Sequence, residues 1–223
     1  MKLLLHAVLT SVGLGFAAPI RAADWSYFES DWGSDWSMTV LYADPGSSSS
    51  VITRSSGGNP GPYREVTLTS GDGSIIVAHT TVDSNFDPAV SGAIESLDFS
   101  IDILPDAGTR AAQGFGPVVM QDGRIFFWQA EPVTGFYDGW FSSPSYTSLK
   151  ASDFVQYGHP GIHPDFGSDG AILSFGFLSL NYLGNANVTG FDNLALSITT
   201  VPEPGCFELL VAGITLAALT RLR

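Results

Sequence analysis

The sequence predicts an all-β chain, an antiparallel sandwich of the jelly-roll kind, and three observations predict it. Apolar and polar residues alternate through most of the body, while no stretch there keeps a 3.6-residue apolar period over successive turns. Clusters rich in Gly, Pro, Ser and Asp separate the alternating runs: PGSSSS at 45–50, SGGNPGP at 56–62, SGDGS at 70–74 and QDGR at 121–124. The runs are short and numerous, which suits two packed sheets rather than a helical bundle.

Taken in order, strands are expected near 36–42, 63–69, 74–82, 95–103, 115–121, 124–130, 134–141, 171–180 and 191–199. The run at 95–103 alternates most cleanly. Leu97, Phe99, Ile101 and Ile103 point one way, Asp98, Ser100 and Asp102 the other. In the last run Leu194, Leu196 and Ile198 share one side, Asn193, Ala195 and Ser197 the opposite. An Asp-Gly pair between two apolar arms, VVMQDGRIFF, predicts a hairpin. At most one short helical turn is expected, from Leu149 to Phe154.

The two ends read differently. Met1 and Lys2, an apolar stretch from Leu3 to Phe16 and the small residues Ala17, Ala18, Ala22 and Ala23 lay out a secretory signal peptide, with cleavage expected after Ala22. An uncleaved anchor is the alternative. At the other end Pro202 and Pro204 stop any helix from running back into the body. Gly205 to Thr220 is almost wholly apolar, and Arg221 and Arg223 close the chain. That run is slightly short for the ~20 residues of a full bilayer crossing, and the arginines suit the cytoplasmic side. The domain plan is therefore 1–22 signal peptide, 23–200 β-sandwich and 201–223 tail. A C-terminal amphipathic helix packed on the domain is the alternative for the tail.

Charge excludes a class of partner. The chain carries 22 acidic and 9 basic residues, a formal net charge of −13. Arg54, Arg64, Arg110, Arg124 and Lys150 are the basic residues of the body. Nucleic acid requires clustered Lys and Arg to displace counterions, so it is excluded as a partner. The sole cysteine, Cys206, lies in the tail, so the body is expected to fold without a disulfide.

Val201-Pro202-Glu203-Pro204, followed by an apolar segment and a basic end, resembles the PEP-CTERM sorting signal of exopolysaccharide-producing Gram-negative bacteria. The resemblance implies export, a membrane-held intermediate and handling by an exosortase, then delivery to the cell surface or the extracellular matrix. A second resemblance covers the body. Phe28-Glu29-Ser30 with Trp36, then Gly57-Gly58-Asn59-Pro60-Gly61, then Gly190-Phe191-Asp192-Asn193 are similar to the opening and closing strands of concanavalin- and laminin-G-like jelly rolls. Many such domains bind glycans, which makes an extracellular polysaccharide the implied partner.

Candidate chemistry is sparse. No Gly-x-Ser-x-Gly elbow, Walker loop or His-Glu-x-x-His is present, so the body is read as non-catalytic, a glycan-binding module or a structural module of the matrix. The rival reading is a glycan-active hydrolase or lyase. Glu29-Ser30-Asp31 begins the Glu-x-Asp-x-x-Glu pattern of laminarinase-like enzymes, but Ser34 stands at the third position. His159, His163 and Asp165 offer metal-ligand types on a Pro-rich loop, with solvated histidines as the plain alternative. Calcium is the better metal. Asp192, alternating with Leu194, is expected on the core side near Glu29, where a carboxylate needs a cation or several donors. Capping of backbone amides is the alternative for Asp192. Finally, Arg124, Phe126 and Trp128 share one side of one strand, and Asp138 and Trp140 one side of the next. On adjacent strands they would form a glycan platform, rings for stacking and charges for hydroxyls; buried core is the alternative.

Overall fold

Alternation at period 2 puts one face of each strand against a partner sheet, and the chain adopts the all-β sandwich that this dictates. The computed structural model describes residues 24–105, 113–128, 131–132, 139–143, 145–182 and 186–201. The expected signal peptide, the tail from 202 onward and most of the strand expected at 134–141 lie outside them.

Among the described residues fourteen strands run in chain order: β1 Asp24–Glu29, β2 Trp36–Ala43, β3 Ser48–Gly58, β4 Gly61–Thr69, β5 Ile75–Thr81, β6 Ile94–Leu104 and β7 Gln113–Gln121, then β8 Arg124–Phe127, β9 Glu131–Pro132, β10 Phe141–Ser142, β11 Tyr146–Leu149, β12 Val155–Gln156, β13 Leu173–Asn181 and β14 Ala186–Thr200. One sheet has the order β10-β6-β14-β4-β3, with β1 added to β14 and β11 to β6. The other runs β12-β8-β7-β13-β5-β2, with β9 on β7. All the pairings are antiparallel.

The predicted hairpin forms. Asp122 and Gly123 have φ of 51° and 70°, the left-handed pair that joins β7 to β8 with a twist matching the strands. The expected turn appears at Ala151–Asp153. Two further short helical pieces, Val82–Ser84 and Pro88–Ser91, were not expected; Thr81 and Asp87 cap them by accepting from Asp83 and Ala89 amides. β3 is the largest departure. Its sequence SSSVITRSSGG falls partly in two expected turn clusters, yet it pairs with β4 along nearly its whole length. As an edge strand it is mostly exposed on both faces, so no hydrophobic alternation is written into it.

The core lies between the sheets. Leu97, Phe99, Ile101 and Ile103 of β6, and Leu194, Leu196 and Ile198 of β14, are buried as alternation requires. They face Phe175 and Phe177 of β13, Phe115 and Val119 of β7, and Phe126 of β8. A second, smaller cluster joins Ala78, Val118, Ile125 and Leu178 with Phe127, on the other face of the β5–β13–β7–β8 sheet.

The core also holds polar groups. Arg64 is buried with its guanidinium 5.5 Å from the Trp36 ring. Burial brings its pKa down to about 10, with the Glu29 charge opposing. His79 is fully buried, stacked on Phe177 at 4.5 Å, with Nε2 2.9 Å from Ser179 Oγ. Burial, and then the Arg64 charge, hold it well below the usual imidazole range, so it is neutral.

Candidate functional site

A single irregularity in β14 decides the geometry of the outer face. Opposite residues of an antiparallel pair share a face. Asp192 stands opposite Asp102, and Ala195 opposite Ser100, so β14 carries one extra residue between them; Asn193 takes it up at φ 48°. Alternation therefore does not carry from Leu194 to Asp192. The core-side placement expected for Asp192 is corrected: it shares the face of Asp102, whose neighbours Ile101 and Ile103 point into the core.

The loop at 57–60 covers that face. Asp192 accepts from the Asn59 amide, from the Asn193 amide at 2.8 Å and from Trp32 Nε1 at 3.3 Å. Asp102 accepts from Asn59 Nδ2 at 3.0 Å, Asn193 Nδ2 at 2.8 Å and Ser142 Oγ at 2.6 Å. Two carboxylates thus stand side by side with neutral donors around them. Among the described residues, no Lys or Arg forms an ion pair with either.

Glu29 has a different role. Its Oε1 accepts from the Asp31 and Trp32 amides at 2.8 and 2.7 Å, and its Oε2 from Tyr27 Oη and Trp36 Nε1 at 2.8 and 3.0 Å. Burial pushes this carboxyl up, but the four donors outweigh it and hold it below the usual glutamate range. Burial and the same carboxylate push the Tyr27 hydroxyl up. With all four lone-pair positions taken, Glu29 fits neither a calcium ligand nor a general acid or nucleophile. It fixes the turn after β1 and aims Trp32 and Trp36 into the core. On the other expected metal loop, His163 Nδ1 lies 2.6 Å from the Phe154 carbonyl, and Asp165 accepts from the Gly167 amide. Among the described residues no three His, Cys, Asp or Glu side chains are placed to hold a metal ion.

The expected aromatic platform is not assembled. β8 and β10 belong to different sheets, so the strands of Trp128 and Trp140 are not neighbours. Phe126 is core, and Trp128 packs edge-on against Tyr146 at 4.8 Å on the core side. Arg124 sits exposed beside the hairpin turn. Asp138 lies outside the described residues. Trp140 lies on the outer face, over Gly190, where a Cβ would come within 3.0 Å of its ring. There it meets Tyr63 edge-to-face at 5.3 Å and donates from Nε1 to the Gly57 carbonyl at 2.9 Å.

Beyond the bulge the same face opens into a trough of about 400 Å³ across β1, β14, β6 and β11. Its floor is small: Ala195 and Ser197 from β14 and Ser100 from β6. Phe28 and Ser26 rise on the β1 side, Ser145 and Thr147 on the β11 side. Phe28 is 62% exposed, unusual for a phenyl ring on a regular strand. Asp98 lies beside Ser100 on β6; one of its oxygens accepts from the Ser148 amide at 2.7 Å. Among the described residues, five serine and threonine hydroxyls, one carboxylate and an open ring line one trough, and no Lys or Arg does. Hydroxyls both donate and accept, the carboxylate accepts, and a flat ring covers C–H patches. Trp140 and Tyr63 lie farther along the same face, roughly 15 Å from Ala195 along β14. Alternation in SLDFSIDI already marked Asp98 and Ser100 as outward-facing. Phe28 alternates with Tyr27 and Glu29 and was legible in the same way, and the jelly-roll expectation that the first strand lies beside the last, which placed Glu29 near Asp192, is met by the pairing of β1 with β14.

No family model matches the sequence, and no curated protein matches it. Solved structures do match in architecture. A carbohydrate-binding module studied in solution for its structure, dynamics and binding, CtCBM11, has a TM-score of 0.46 at 16% identity, over 83% of this chain and 99% of that one. Carbohydrate-binding modules described for promiscuous specificity within the β-sandwich superfamily score 0.44 at 11% identity, over 72% of this chain and 56% of theirs. A xylan-binding domain scores 0.41 at 11%, over 78% of this chain and 95% of that one. A Stig cyclase reaches 0.42 at 13%, over 78% and 90%. Scores in this range, at such identities, do not place the chain in any of these families.

Proposed function

We propose that the body is a non-catalytic glycan-binding module of an exported protein, sorted through Val201-Pro202-Glu203-Pro204 to the cell surface or the exopolysaccharide matrix. The trough carries the binding half of this reading. An exposed Phe28 ring beside Asp98 and a floor of small hydroxyl residues offers a sugar both of the contacts it uses, a flat apolar surface and hydroxyl partners. The non-catalytic half rests on Glu29, whose lone pairs are all engaged. The address rests on the sequence of the two ends, and the exosortase-type enzyme is the partner it implies.

A glycan array probed with residues 24–201, repeated with Phe28→Ala, tests the binding half. Binding to a sugar that the variant loses supports it, and no binding to any glycan sinks it. A reducing-end assay on the same polysaccharides separates binding from hydrolysis. Fractionation of producing cells with intact and VPEP-deleted chains tests the address. The protein in the cytoplasm in both cases would refute it. Calcium enters as a proposed second ligand, moved from Glu29 to the Asp102–Asp192 pair, because these two carboxylates stand opposite each other on adjacent strands and no Lys or Arg among the described residues pairs with either.

A further inference from the structure

The trough between β1 and β11 has a charge as well as a shape. Asp98 of β6 stands opposite Ser197 of β14, which puts a carboxylate in the middle of it. One oxygen of Asp98 accepts from the Ser148 amide, and no Lys or Arg among the described residues forms an ion pair with it. Other carboxylates follow the same face. Asp24 shares the outward side of β1 with Ser26 and Phe28, and Asp102 and Asp192 face each other beyond the bulge. The cations of the body are held elsewhere. Arg54 donates from Nε and Nη2 to the two oxygens of Glu65, at 2.9 and 2.7 Å. Arg64 is buried in the core, and Arg124 flanks the β7–β8 turn on the other sheet. Lys150 donates from Nζ to the Glu95 carbonyl at 2.7 Å. Glu95 is three residues from Asp98, about 10 Å along β6. Arg110 lies outside the described residues.

We propose that the trough takes glycans free of carboxylate and sulfate groups, and that Asp98 is the residue that rejects acidic ones. The inference rests on the glycan-binding reading of the trough and names its substrate class. An uncharged sugar offers hydroxyls, which donate to the Asp98 carboxylate and both give and take hydrogen bonds with Ser26, Ser100, Ser145, Thr147 and Ser197. A uronate or sulfate ester brings a second negative charge against Asp98. It also gives up hydration on entering, and the lining supplies no guanidinium or ammonium to replace it. Like charges in a contact cost affinity, and the chain's net charge of −13 slows the encounter as well. Selection therefore comes as much from what the trough repels as from what it binds.

Residues 24–201 draw their core from their own side chains. Their binding is measured against soluble β-glucan, galactomannan and amylose, each beside the same polymer oxidised at C6 to the carboxylate, and against alginate and polygalacturonate. Chelator is present throughout, so that no divalent cation bridges a uronate to Asp102 and Asp192. A neutral polymer is expected to bind, and its oxidised form about tenfold more weakly or worse at low salt, a gap that narrows as salt screens the charges. Asp98→Asn keeps an acceptor for the Ser148 amide and is expected to close most of the gap; Asp98→Lys is expected to reverse it. Ser197→Lys sets a cation opposite Asp98 without touching the bond to Ser148, and is expected to act in the same direction. A thermal melt identifies the variants that fold. No binding to any polymer in either form sinks the glycan reading and the substrate class with it. An acidic polymer bound as tightly as its neutral parent, or a gap unchanged in folded Asp98→Asn and Ser197→Lys, overturns the substrate class alone and leaves glycan binding standing.

Discussion

Phe28→Ala sets the trough against the rest of the molecule. An aromatic side chain offers about 150–250 Å², and Phe28 is 62% exposed, so roughly 120 Å² of it is open to a ligand. A sugar stacked on one face would cover about half. At about 25 cal/mol per Å² that is about 1.5 kcal/mol, or roughly a tenfold change in Kd. Truncating a fully buried Phe costs about 3–5 kcal/mol; scaled to the covered third of this ring, the stability loss is about 1–2 kcal/mol. Trp128→Ala is the contrast. Its ring packs against Tyr146 on the core side, so the expected stability loss is about 3 kcal/mol, with unchanged affinity in the folded fraction. Titration calorimetry against the glycan found on the array, paired with a thermal melt of each variant, reads both numbers. The reasoning fails if Phe28→Ala binds as well as the parent, or if Trp128→Ala abolishes binding while remaining folded.

The remaining expectations concern the charges. His79 is held well below its ordinary pKa in the folded state, so below about pH 6.5 the unfolded chain takes up a proton that the folded chain refuses. Stability is therefore full above that pH and falls on acidification; His79→Gln should flatten the slope, and denaturant melts with identical slopes in both proteins would disprove the assignment. Calcium is expected to raise the melting temperature through Asp192 and Asp102, by about 2.7 kcal/mol at a hundredfold excess over Kd, or roughly 5 °C or more for a domain of this size. Asp102→Asn should raise the calcium-free melting temperature by relieving the like-charge pair and remove the calcium response; a melting temperature that ignores both calcium and chelator rules the site out.

Sequence alone determined what depends on neighbours along the chain. Alternation fixed which side chains of β6 and most of β14 enter the core, because a strand turns successive residues to opposite faces whatever it pairs with. The Asp-Gly pair fixed the β7–β8 turn, because Asp tolerates and Gly readily takes the left-handed φ that the turn requires at both positions. Everything that required knowing which strand lies beside which was decided by the tertiary structure. Trp128 and Trp140 are close in sequence but belong to different sheets, so the platform read from their alternation does not exist. Phe28, Ala195, Ser100 and Thr147 come from four distant segments and line one trough only because β1 pairs with β14, β14 with β6 and β6 with β11. One extra residue at Asn193 moved Asp192 to the outer face beside Asp102. A bulge has no periodic signature, since it is the point where the period breaks, and its consequence appears only when the opposite strand supplies the register.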